Sequence, residues 1–86
     1  MPELCRFYGI VIQMFVDDHP PPHFHARYGS DVAVFTIETL DVLAGQLPHR
    51  AHALVIEWAI RHRSELRAAW LRASSSEAPG SIDPLD

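Results

Sequence analysis

The spacing of apolar residues changes once along this 86-residue chain. Up to Leu43 it alternates with period two, as in strands. From His49 it recurs every three to four residues, as in a helix. Residues 7–16 are predicted as a strand, rich in β-branched and aromatic side chains. Tyr8, Ile10, Ile12, Met14 and Val16 fall on one face, and Phe7, Gly9, Val11, Gln13 and Phe15 on the other. Both faces are largely apolar, so this strand is expected to be central and covered on two sides. Gly9 inside it marks a bulge or a close backbone approach.

Residues 17–22 read as a loop, because Pro20, Pro21 and Pro22 cannot donate to a ladder and stiffen the segment. Residues 23–29 are predicted as a second strand. Its alternation sets His23, His25 and Arg27 on one face and Phe24, Ala26 and Tyr28 on the other. A turn at Gly29-Ser30-Asp31 leads into a third strand over 32–39, the two forming a hairpin. A short fourth strand is expected over 40–43. Residues 49–73 hold no Gly or Pro and are rich in good helix formers, with Pro48 suited to the first turn.

Along that helix Ala51, Val55, Trp58, His62, Leu66, Ala69 and Ala73 share one side, with Leu54 and Trp70 at its margins. Ile56 and Ile60 make a second stripe, suited to a second subunit or another partner. Ser64 is a candidate cap, so a break near His62–Ser64 is expected, giving one long or two consecutive helices. The fold class is therefore α+β: a three- or four-stranded, mostly antiparallel sheet with C-terminal helices. Residues 1–73 form one domain, and 74–86 a flexible tail from which Ile82, Pro84 and Leu85 dock back.

Composition narrows the class. The chain is 48% hydrophobic and 21% charged, as in a globular protein of one domain. Its core is small, so self-association into a homo-oligomer or a bound partner is expected. The lone Cys5 cannot form an internal disulfide, which fits a cytoplasmic setting, and it is read as structural. No signal peptide and no membrane span are expected.

The net charge of −4 argues against a wholly nucleic-acid-binding surface. All seven cations are arginine. Between His49 and Ala73, five of them stand against Glu57 and Glu65, a local balance of +3 that leaves −7 elsewhere. Arg50, Arg61 and Arg72, spaced by eleven, line one helix edge. They are a salt-laced edge or, on a functional reading, a groove for RNA or an acidic partner.

The chemistry concentrates in Asp17-Asp18-His19-Pro20-Pro21-Pro22-His23-Phe24-His25. His23 and His25 point the same way, and His19 with Asp17 or Asp18 sits on the adjoining loop. Imidazole with carboxylate suits zinc, iron, nickel or manganese, with His19, His23 and His25 as ligands. The same residues suit acid–base cleavage of a phosphodiester. There His19, His23 and His25 would move protons, Arg27 would stabilise the anion, and Tyr8 and Tyr28 would stack on a base. A third reading makes the block a structural corner in a non-enzymatic interaction module. His62 is read as a core residue, drawn into the site only if the helix covers the face of His23 and His25. His49 and His52 are read as surface residues.

The pattern Gly9-Ile10-Val11-Ile12, Met14-Phe15, Asp18-His19, Pro21-Pro22-His23-Phe24-His25-Ala26, Tyr28-Gly29, Gly45, Leu47-Pro48, Glu57-Trp58, His62-Arg63, Glu65-Leu66 and Trp70 resembles the DUF4160 family of small bacterial proteins. The resemblance runs from Pro2 to about Ala73. It departs from the family pattern at the additional Pro20 and at His49 and His52. It implies a toxin-like component of a two-gene, toxin–antitoxin-type module, with a DUF2442-type protein as partner; RNA as a target belongs to the reading of the His/Arg cluster above. The resemblance assigns no catalytic residues.

Overall fold

The computed structural model describes residues 3–86; Pro2, where the resemblance begins, lies outside them. Five strands form one antiparallel sheet in the order β1 (Glu3–Phe7), β2 (Ile10–Gln13), β3 (His23–Tyr28), β4 (Asp31–Thr36) and β5 (Val42–Gly45). Helices α1 (His49–Arg61) and α2 (Arg63–Ser74) follow. The α+β class holds, with five strands rather than three or four.

The extra strand comes from splitting the expected strand over 7–16. Tyr8 and Gly9 both have positive φ, 50° and 81°, and join Phe7 to its cross-strand partner Ile10. That is the geometry of a two-residue type I′ turn, whose twist matches that of the flanking strands. The run of apolar residues hid it, because Tyr8 is not a usual turn residue. β4 stops at Thr36 rather than 39. The Thr36 and Thr39 hydroxyls bond each other at 2.6 Å, Thr39 donates to Asp41, and the Thr36 and Asp41 backbones pair, closing the turn before β5. The fourth strand of the prediction, 40–43, is displaced to Val42–Gly45. At its end Gly45 has φ 71°, and a Cβ there would stand 2.0 Å from the Val32 carbonyl oxygen.

The inner sheet face carries Phe7, Ile10, Ile12, Phe24, Ala26, Ala33 and Phe35, all buried. The predicted helical stripe covers it. Ala51, Val55, Trp58, Leu66, Ala69 and Ala73 are buried, and the Trp58 ring meets Phe7 and Phe24. His52, expected on the surface, packs its ring against Phe35. Ile60 of the second stripe remains exposed. Only one sheet face is covered by helices. The outer face holds Val11, His25, Arg27, Val32 and Val34, and β5 is exposed along its length. β2 is the central strand that was expected, and its outer face is buried at Gln13 and half-buried at Val11, though no helix lies over it there.

The helix breaks at His62 (φ −123°), whose N–H bonds the Ala59 carbonyl and whose carbonyl receives the Leu66 N–H. The His62 ring bonds Glu65 at 2.6 Å and lies against Trp58. His62 rather than Ser64 is the joint, and Ser64 lies inside α2. After α2 the chain runs back along β1. Ile82 and Leu85 are buried, Ile82 N–H bonds the Leu4 carbonyl, and Trp58 Nε1–H bonds the Asp83 carbonyl at 2.8 Å. Pro84, also expected to dock, is exposed. Among the described residues no helix is long and apolar enough to cross a membrane.

Candidate functional site

The loop between β2 and β3 is fastened before it delivers any reactive group. Asp17, at φ 58°, bonds through its N–H to the Ala73 carbonyl at the end of α2, and its carboxylate accepts from Ser76. The Ile37 N–H bonds the Pro22 carbonyl, tying the far end of the loop to the end of β4. Pro20–Pro21 is a cis peptide bond within it. Between these anchors Asp18 is turned back over the start of β3.

Asp18, His23 and His25 form a compact group. Each offers a ligand atom, and these atoms all lie within 4.8 Å of one another. Asp18 receives the His19 backbone N–H on one carboxylate oxygen and faces His23 Nε2 at 2.9 Å with the other. His23 Nδ1 lies 2.7 Å from the Pro21 carbonyl. His23 is 8% exposed, its ring 5.1 Å from Trp70 and 5.5 Å from His25. Phe15 meets His25 edge-on at 4.7 Å, and buried Gln13 stands opposite His25 in the ladder. His25 Nδ1 is buried without a hydrogen-bond partner among the described residues.

The proton count of this group is informative. A carbonyl only accepts, so His23 Nδ1 must carry a hydrogen. A neutral imidazole has one N–H, so Nε2 then turns its lone pair toward the Asp18 carboxylate. The pair is satisfied only with a second proton on the ring or a cation shared between them. Burial opposes ionisation of Asp18. The His19 N–H, the His23 ring and the charges of His23 and His25 outweigh it and hold the carboxyl below its usual range. At His25, burial and the neighbouring His23 both lower the proton affinity, against a smaller opposing pull from Asp18.

The expected site residues divide. His23 and His25 come together and take Asp18, not Asp17, as third member. His19, of the expected metal set His19, His23 and His25, is exposed and outside the group; the side chains near enough to share an ion are Asp18, His23 and His25. Arg27 shares their face but lies four residues further along β3, roughly 13 Å from His23 at the rise of a strand. It pairs in register with Val11 and Val32, and its charge acts on Glu3. Tyr8 and Tyr28 line a cavity by the β1–β2 turn, near the other end of β3. His62 is held by Glu65 at the helix joint and packs against Trp58 of the Phe24 face, while it is Trp70 of α2 that reaches His23. Phe15, Trp70 and the Pro21 carbonyl were not read from the sequence as parts of the site. Trp70, at the margin of the helical stripe, carried the only hint.

No curated protein and no solved structure matches the chain. A family model described as a domain of unknown function (DUF4160) matches residues 9–71, which include Asp18, His23 and His25 and most of the chain. The chain therefore belongs to the DUF4160 family.

Proposed function

We propose that Asp18, His23 and His25 bind one divalent transition-metal ion, and that this centre is the functional site of the protein. The single observation that carries the reading is the buried, unpartnered Nδ1 of His25, in a group with His23 and Asp18 whose ligand atoms all lie within 4.8 Å of one another. A buried imidazole nitrogen without a partner is costly, and coordination removes the cost. Two imidazoles and one carboxylate form a donor set that suits zinc or iron(II) and leaves further coordination positions free. A shared ion asks its ligand atoms to stand roughly 3–4 Å apart, close to the present spacing. The His23–Pro21 bond fixes the ring as a carbonyl partner does in many metal sites.

The test is metal analysis of tag-free protein, followed by cobalt(II) titration read by visible absorption and by fluorescence quenching of Trp70, whose ring lies 5.1 Å from that of His23. One ion per chain is expected, with affinity falling at least ~10-fold in Asp18→Asn and His25→Ala and unchanged in His19→Ala. An absence of stoichiometric, saturable binding would sink the reading.

An RNA-cleaving site built on His19, His23, His25 and Arg27 has less support. Arg27 stands apart from His23, and His19 lies outside the group. A protein partner is better supported by the uncovered outer face and the exposed edge strand β5, where Val32, Val42 and Leu43 are exposed. We read the DUF2442-type protein implied by the family resemblance as that partner, within a cytoplasmic two-gene module of toxin–antitoxin type. Expression of the wild type against a His23→Ala, His25→Ala double variant tests the toxin-like role. Equal effects on growth, or none from either, would count against it.

A further inference from the structure

The arginines of this chain are mostly spoken for. Arg6, Arg61 and Arg67 pair with Glu3, Glu57 and Glu38, while Arg63 and Arg72 donate to the carbonyls of Ile37 and Pro79. Among the described residues only Arg27 and Arg50 make no side-chain hydrogen bond or ion pair. The basic helix edge read from the spacing of Arg50, Arg61 and Arg72 is therefore structural at two of its three positions. Arg50 stands at a cavity of about 380 Å³ between the β1–β2 turn and α1. That volume lies within the roughly 300–1,000 Å³ typical of small-molecule sites.

We propose that this cavity binds a small planar aromatic anion, of the nucleoside monophosphate type, with its ring against Tyr8 and Tyr28 and its anionic group at Arg50. Both tyrosines are unusually open, at 60% and 41% exposure. Tyr8 is held at positive φ, a conformation that costs a bulky residue energy, and its hydroxyl bonds the Asp86 carbonyl. The Tyr28 ring comes so near the turn that a Cβ on Gly9 would stand 3.2 Å from it. Ile10, Leu54 and Leu85 supply apolar lining. Glu57 and Asp86 also border the cavity; the Glu57 carboxylate is engaged by Arg61, and Arg50, the one cation among the lining residues, forms an ion pair with neither acid. Stacking surfaces with one free guanidinium match a ligand that is flat at one end and anionic at the other.

The experiment is an NMR titration of the isotope-labelled full chain, in chelator, with AMP, adenosine and inorganic phosphate as probes. AMP is expected to give saturable shifts at Tyr8, Gly9, Tyr28 and Arg50. Affinity should fall at least ~10-fold in Arg50→Gln and in Tyr28→Leu, with adenosine weaker than AMP by a similar factor. Asp18→Asn should bind AMP as the wild type does, which separates this site from the metal centre. Arg50 and Tyr28 are exposed, so spectra of both variants should keep their dispersion elsewhere. The proposal fails if AMP gives no saturable shifts up to ~10 mM, an affinity too weak to matter. It fails equally if Arg50→Gln binds AMP unchanged, or if adenosine or phosphate alone binds as tightly.

Discussion

His25 carries the electrostatics of the candidate centre. In the folded chain it takes up a proton less readily than at its ordinary value of 6.5, chiefly because it is buried. Below that value the unfolded chain therefore binds more protons, and stability falls as pH drops through 6.5 until the folded protein is protonated there too. Asp18 adds a second, lower window. Its carboxyl is held below 3.8, so its contribution is complete above 3.8 and is lost as pH falls through the folded value. Urea denaturation in chelator should show declining stability from pH 7 to 5, and His25→Gln should flatten that slope. An unchanged slope would remove His25 as its source. Cys5 behaves oppositely, since burial, with help from Glu3 and Asp83, raises its thiol to about 12. Its alkylation at pH 8 should be far slower than that of a free thiol and should speed up in denaturant. At Gly45 a side chain meets the Val32 carbonyl at positive φ, so Gly45→Ala should cost about 2 kcal/mol or more.

At the scale of elements, the decisive pieces are joints. The β1–β2 hairpin, the His62 break and the corner from Asp17 to Pro22 each redirect the chain by local chemistry. The helix break was legible from the sequence in position but not in agent. Ser64 has the side chain of a cap, yet His62 takes the joint because Glu65 holds its ring and Trp58 backs it. Glu65→Ala should therefore lower stability by about 0.5–1 kcal/mol, whereas Ser64→Ala should leave it nearly unchanged. Matched denaturation curves check this, and equal losses in the two would return the cap to Ser64. The strand carrying His23 and His25 was legible because its residues alternate between faces along an unbroken ladder with β4. The hairpin at Tyr8-Gly9 was not, because a tyrosine at positive φ defies local preference and is held by tertiary contacts.

For the whole molecule, a small core is completed by the segment after α2. Ile82 and Leu85 are buried, and Asp83 satisfies the indole of Trp58 at the centre of the core. Removing residues 78–86 should cost about 2–4 kcal/mol after the ordering entropy of the segment is deducted. It should also expose Trp58, visible as a red shift in its emission. A truncated chain with wild-type stability would mean that the segment contributes little.

The sequence by itself determined the α+β class, the helical stripe that meets the sheet, the strand face shared by His23 and His25, and family membership. Each is written in local period or in a contiguous motif, where neighbouring residues carry the information. Only the tertiary structure decided that Asp18 joins the two histidines while His19 stays outside. It also decided that Arg27 and the two tyrosines belong elsewhere, and that one sheet face is left open. Those outcomes depend on how a loop folds back between anchors at Ala73 and Ile37, and those residues are distant in the chain. Spacing along the backbone bounds what can meet; the packing of distant segments selects what does.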